Sequence, residues 1–390
     1  MGTFVCPICG NSDSRYIGHL HGEPYSRKCI AFRGEEAKEG SHLPQNVILD
    51  LKYSLSPEQK EISDGVIANY RHGIDTLVYA VCGSGKTEIS FGIIAECVAK
   101  GKTVGFALPR RDVVVELYLR LKAAFPHNKV VAVYGGHNDE KEGDIIILTT
   151  HQLYRYPKYF DLLVMDEIDA FPFKGNDVLI SMFRRSLRGH CVMMSATPSE
   201  AIRKEFSQKG HAILELHTRF HKKPIPVPVI LIRPLFFKHI SLLKKLRDYQ
   251  AEKKPCFVFV PTISMAKSLF RFLNFFLPKG NYVSSKRKNR PKIIEAFRNG
   301  KYSYLVTTAV LERGVTIKGI QVIIFKADSK IYDSAALIQI AGRVGRKVGA
   351  TSGDVIFLAD KATPSMEKAI REIKRSNRFL PRLLSKDQRK

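Results

Sequence analysis

The chain has 390 residues, 44% of them apolar, with 63 basic against 37 acidic side chains, a net charge of +26 and an isoelectric point near 9.8. That length exceeds one hydrophobic core and suits two domains with a small appendage; no apolar run of about 18 residues is present, so no membrane-spanning helix is expected, and the first residues lack the basic-then-apolar pattern of a secretory signal. The positive excess calls for an anionic partner, nucleic acid first, while seven scattered cysteines, partly inside apolar runs, fit a reducing compartment without a disulfide framework.

Residues 1–48 are rich in Gly, His, Cys and charge, and are expected to form a small appended module or a tethered arm. Cys6-Pro7-Ile8-Cys9-Gly10 is half of a zinc knuckle, and the turn at Gly10 lets two thiolates meet one metal. Cys29 supplies a third thiolate. The expectation is one Zn²⁺ on Cys6, Cys9, Cys29 and a histidine (His19, His21 or His42); the alternative is a degenerate module without metal.

From about residue 56 apolar strands alternate with amphipathic helices, the pattern of a parallel sheet covered on both faces. Thr76–Ala80 reads as a strand, Glu88–Ala99 as a helix ended by Gly101, Val104–Leu108 as a strand and Asp112–Phe125 as a helix. Further strands are expected at Lys129–Val133, Asp144–Leu148, Asp161–Met165 and Cys191–Met194. Three prolines in Lys222–Pro228 mark a stiff connector. The alternation then restarts, with strands at Cys256–Val260, Tyr304–Thr307, Val322–Phe325 and Val355–Leu358. Helices are read at Met265–Phe276, Ile293–Phe297, Ser334–Gly345 and Ser365–Lys374. The fold class is therefore α/β with two tandem parallel-sheet lobes: residues 49–215, a connector at 216–228, residues 229–375, and a basic tail at 376–390.

Between the first strand and helix runs Ala80-Val81-Cys82-Gly83-Ser84-Gly85-Lys86-Thr87. Residues without Cβ let the backbone wrap a phosphate and aim N–H groups inward, and the following helix N-terminus adds positive charge. Lys86 can reach terminal phosphates and Thr87 can ligate Mg²⁺. Ala80 stands where the usual pattern has Gly. At the end of the strand Asp161–Met165, Asp166 can hold Mg²⁺ and Glu167 can orient and deprotonate the attacking water. Gln339, Arg343 and Arg346 recur at i, i+4, i+7, so a helix would aim all three one way, suiting arginine fingers. Basic clusters at Ser285–Lys292 and Arg371–Lys390 can contact nucleic-acid phosphate or anionic lipid.

This order of motifs resembles superfamily 2 helicases: Gln59, the phosphate loop, Leu108-Pro109-Arg110, Thr149-Thr150-His151, Asp166-Glu167-Ile168-Asp169, Ser195-Ala196-Thr197-Pro198, Thr307-Thr308 through Arg313-Gly314-Val315-Thr316, and Gln339–Arg346. The resemblance covers roughly residues 50 to 360 and implies two RecA-like lobes and an ATP hydrolase. By position it implies that Gln59 reads adenine, that Gly314 and Thr316 line the nucleotide cleft, and that Arg343 and Arg346 touch the γ-phosphate. Ser195 and Thr197 would couple hydrolysis to movement, and Pro109, Arg110, Thr150 and Thr307 would lie on the nucleic-acid strand. The wording around Ala80–Gly83, Asp166–Pro172 and Gln339–Arg346, with a cysteine module in front, looks like the ComFA family of late competence proteins. That family's pattern has cysteine where Ser26 stands. The resemblance implies a motor on single-stranded DNA that helps bring transforming DNA into a bacterial cell. It would act with a membrane uptake channel and other competence proteins, in the cytoplasm or peripheral to the membrane. The alternatives are a strand-separating helicase of repair or primosome restart, an RNA helicase, or an idle nucleic-acid clamp.

Overall fold

The computed structural model describes residues 4–32, 34–38, 42–51, 54–287, 289–308, 315, 317–347 and 349–379, with Leu235 described in its backbone only. Two compact units emerge: residues 1–80 with 85–216, and residues 81–84 with 217–390.

The first unit opens with a hairpin, β1 (Ile17–Leu20) and β2 (Glu23–Ser26), then α1 (Pro57–Arg71), β3 (Thr76–Ala80), α2 (Lys86–Ala99), β4 (Val104–Leu108) and α3 (Arg111–Ala124). It continues through β5 (Val130–Val133), β6 (Ile145–Thr149), a 3₁₀ turn at Thr150–Arg155, β7 (Phe160–Met165), α4 (Asp177–Ser186), β8 (Leu187–Ser195), α5 (Glu200–Gln208) and β9 (Ala212–Leu216). Seven strands form one sheet in the order β5-β6-β4-β7-β8-β3-β9, every pair parallel. Both faces are buried, which is why the strands are unbroken apolar runs. In β6, Ile145 and Ile147 join the core under α1–α3, while Ile146 and Leu148 join the core under α4.

The second unit holds β10 (Val229–Ile232), α6 (Leu235–Ala251), β11 (Cys256–Phe259), α7 (Ile263–Phe276), β12 (Gly280–Val283), α8 (Arg290–Arg298), β13 (Tyr304–Thr307), β14 (Gln321–Phe325), α9 (Ser334–Ala341), β15 (Val355–Ala359) and α10 (Pro364–Asn377). Its six-stranded sheet runs β10-β15-β14-β11-β13-β12, all parallel. Helices α8, α9 and α10 cover one face and α6 with α7 the other.

Two expectations need correction. The helix read over Ser334–Gly345 ends at Ala341, because Gly342 caps it and Gly345 takes φ +67°; Arg343 and Arg346 therefore lie beyond the helix, not on its face. The cysteine module is no tethered arm. Cys6, Cys9 and Cys29 share a core with Leu153, Leu179 and Phe183, Arg155 donates to Glu35 O at 2.8 Å, and Arg185 pairs with Glu36 at 2.8 Å.

Candidate active site

Strand β3 lies between β8 and β9, buried along most of its length. It stops at Ala80, and the chain turns through Gly83 (φ +84°) and Gly85 (φ +79°), a left-handed backbone that favours glycine. A Cβ at Gly85 would also run into Gln59 Nε2. Helix α2 starts at Lys86 with no side-chain cap, so its first N–H groups remain available to an anion. In contrast, α1 carries a full capping box: Gln59 N donates to Ser56 Oγ at 3.3 Å and Ser56 N donates to Gln59 Oε1 at 2.8 Å. The same buried Gln59 thus closes α1 and leans on the phosphate loop. Lys86 Nζ donates to Ala80 O at 3.1 Å, spanning the loop from end to end. Uncapped helix, left-handed glycines and lysine together fit a nucleoside triphosphate.

Because all strands run parallel, the loops after β3, β4, β6, β7 and β8 share one sheet edge, where ligands bind in open α/β sheets. After β7, Asp166 Oδ1 accepts from Glu167 N at 2.7 Å and Asp166 N donates to Ala107 O at 3.2 Å. Glu167 holds φ +60°, a left-handed conformation that a non-glycine residue adopts at a cost. Asp169 is the residue that motif reading left without a role. It is buried, accepts from Ser195 Oγ at 2.7 Å on one oxygen, and accepts from Thr197 Oγ1 at 2.7 Å on the other. Thr197 N also donates to Ser195 Oγ at 2.9 Å. The loops after β7 and β8 are therefore tied by charge-assisted hydrogen bonds.

Pro109 is buried and Arg110 half-buried after β4. Thr150 is fully buried, and its Oγ1 has no hydrogen-bond partner among the described residues. Beside it His151 stacks on Phe32 of the cysteine module, 5.9 Å between centroids at 23°, and burial lowers its pKa. Thr307 is likewise fully buried, its Oγ1 donating to Thr308 O at 3.1 Å. Gly314 and Thr316, with Arg313, lie outside the described residues.

In the second unit Gln339 is buried and accepts from Cys82 Sγ at 3.0 Å. Arg343 is buried and donates to Val315 O at 2.9 Å; Arg346 is half-buried. The turn that carries them is held from below by Arg219, which sequence reading placed only in a connector. Its guanidinium donates to Gly342 O at 3.0 Å, Val344 O at 2.8 Å and Gly345 O at 3.0 Å. His221 Nε2 adds a bond to Gly345 O at 2.9 Å. Burial depresses the Arg219 pKa to about 10, and the guanidinium stays charged at neutral pH. The only sequence signal was a basic residue close behind the first lobe.

The Sγ atoms of Cys6, Cys9 and Cys29 lie within 4.8 Å of one another, all buried. Three soft donors at that spacing suit Zn²⁺. Among the described residues no histidine joins them, against expectation: His19 and His21 are exposed on the β1–β2 hairpin, and His42 bonds Asp144 at 3.2 Å. The hairpin instead brings Ser26 Oγ to 3.3 Å from Cys9 Sγ.

Comparison with known proteins fits this geometry. The DEAD/DEAH box helicase family matches residues 57–205 and the helicase conserved C-terminal domain residues 238–348. Competence protein ComFA of Bacillus subtilis is 32% identical over 96% of this chain and 86% of its own length. Its namesake in Streptococcus pneumoniae is 31% identical over 97% and 91%. The chain belongs to the ComFA family. As a ComFA family member it is a superfamily 2 helicase-type enzyme that hydrolyses ATP, with two RecA-like lobes. UvrABC system protein B of Chlorobium phaeobacteroides is 29% identical over 47% of the chain and 26% of its own length. Among solved structures, Saccharomyces cerevisiae Dbp5 bound to RNA and ADP BeF3 shares the fold at TM-score 0.64 and 17% identity. It covers 83% of this chain and 92% of its own. Mycobacterium smegmatis helicase Lhr bound to single-stranded DNA and AMP-PNP matches at TM-score 0.60 and 16% identity, covering 83% of this chain and 50% of its own.

Proposed function

We propose that this ComFA family member is a single-stranded DNA translocase that spends ATP to draw transforming DNA into a competent bacterial cell. One observation supports this above others: the relatives named competence protein align along nearly the whole chain, whereas the UvrB match covers about half. In this reading Gln59 reads the adenine. The backbone of Ala80, Val81, Cys82, Gly83, Ser84 and Gly85 cradles phosphates together with Lys86. Thr87 and Asp166 would hold Mg²⁺, which would supply neutralising charge to the phosphates. Glu167 orients the attacking water and accepts its proton. Gln339, Arg343 and Arg346 meet the charge that develops on the γ-phosphate.

Asp169 carries the result outward, since it grips both Ser195 and Thr197. Pro109, Arg110, Thr150 and Thr307 serve the DNA strand. Cys6, Cys9 and Cys29 would hold one Zn²⁺, and Ser26, 3.3 Å from Cys9 Sγ, is the nearby oxygen donor. In this reading a peripheral ATPase contacts an uptake channel and other competence proteins; no described helix is long and apolar enough to cross a membrane.

The test is ATP turnover measured side by side with single-stranded DNA, duplex DNA and RNA. Strong stimulation by single-stranded DNA is expected, weaker by duplex. Equal stimulation by RNA overturns the substrate assignment. Lys86→Ala and Glu167→Gln are each expected to abolish turnover with the fold intact, and wild-type-like turnover by either defeats the site assignment.

A further inference from the structure

Helices α6 and α7 each carry two apolar faces. The inner faces, with Leu242, Leu246, Ala266 and Leu273, are buried against the second sheet. On the outer side of α6, Phe236, Ile240, Leu243 and Arg247 recur at i, i+4, i+7, i+11; on α7, Met265, Leu269, Phe272 and Phe276 do the same. The two stripes wall one groove of about 690 Å³, reaching down to Phe325 of β14. Its rim is unusually apolar for a surface: Phe236 is 71% exposed, and Phe275, one position from the stripe, is 82% exposed. Contiguous patches of this kind mark interaction sites.

The charge along the groove has one sign: Arg247 and Lys326 line it, Lys244 follows Leu243 at its edge, and no carboxylate is among the lining residues. Lys238, buried, is already paired with Asp360. An occupant must therefore be apolar along one side and anionic along its flanks. We propose that this groove receives an amphipathic helix of a protein partner, with large apolar anchors at i, i+4 and i+7 and acidic residues beside them. Two helical walls suit a helix laid between them. A nucleic-acid track would need cations along its floor, yet only Arg247 and Lys326 among the lining residues are basic.

The test uses the full-length protein and a fluorescent synthetic helix with Leu or Phe at those spacings and Glu between them. A scrambled peptide of equal composition is the control, and phosphatidylglycerol vesicles and oligo-dT are parallel probes. The patterned peptide is expected to bind at least about tenfold more tightly than the scrambled one. Phe236→Ser with Phe276→Ser should remove that preference while leaving DNA-stimulated ATP turnover unchanged. Equal binding of the two peptides overturns the proposal, as does a loss in the variant confined to vesicles or to oligo-dT. Should that variant fail to fold, Arg247→Glu with Lys326→Glu, the two basic lining residues, gives an independent reading. Binding of the acidic peptide should fall by about fivefold or more and become less salt-dependent, and unchanged binding defeats the idea.

Discussion

Asp169 accepts two hydroxyl hydrogen bonds from residues 26 and 28 positions further along the chain. Charged-acceptor hydrogen bonds contribute about 1.5–3 kcal/mol each. Asp169→Ala should therefore lower unfolding free energy by about 3 kcal/mol or more and should reduce the DNA-stimulated increment of ATP turnover more than the basal rate. Urea unfolding with paired ATPase assays checks this; equal loss of both rates would mean that Asp169 only supports the fold. Ser26 offers the opposite change. Ser26→Cys would set a fourth thiol beside Cys9; on the proposed zinc site it should slow metal release to a chelator by about tenfold, against an expected wild-type content of about one metal per chain. Less than about 0.3 metal per chain in unchelated protein would remove zinc altogether. The phosphate loop was legible in the sequence because its chemistry is local: glycines, lysine and threonine within eight positions of a strand. Asp169 was not, because its partners are set by which strands become neighbours, and Ser26 was passed over for histidines because residue type was weighed without distance.

Elements were legible where burial made them uniform. The strands β3, β4, β6, β7, β11, β13, β14 and β15 all read out as apolar runs because both faces of each sheet are covered. Helices α1, α4, α5 and α6 were not assigned. In α6 a second apolar face blurs the period that marks a one-sided helix. The end of α9 was misplaced because a spacing of four and three fits a turn as well as a helix, and only Gly345 with its left-handed backbone distinguishes them. One contact between elements should show in acid. Glu96 on α2 is clamped by Arg71 of α1, 2.9 and 2.8 Å, and by Lys100, 2.7 Å. The Arg71 guanidinium, followed by Lys100, holds its pKa at about 2 despite some burial. A depressed carboxyl stabilises the fold above its ordinary value of 4.5 and loses that contribution as pH falls toward 2. The urea midpoint of Arg71→Met should therefore lie below wild type at pH 7 and converge with it near pH 2; a constant gap would locate the effect in packing.

At the scale of the molecule, the restart of strand–helix alternation after three prolines announced two lobes, and the sheets observed obey it. The net charge of +26 sets the expected response to salt. For single strands log affinity falls by about 0.7 per phosphate contacted for each tenfold rise in salt. Half-maximal DNA for ATPase stimulation should thus rise steeply between low and moderate salt, while turnover without DNA barely moves; a flat response would exclude phosphate contacts as the main grip.

The cysteine module bears on how deletions of this gene product are to be interpreted. Its thiols sit in the same core as Leu153, Leu179 and Phe183, and Phe32 lies flat on His151. Cutting the chain before residue 50 would strip a lining from the lobe and leave an oily scar beside a motif read as gripping DNA. A truncated protein that clumps or is degraded would say nothing about zinc. Phe32→Ala, which loosens the seam and keeps every thiol, separates the two causes: metal content should stay while response to DNA weakens.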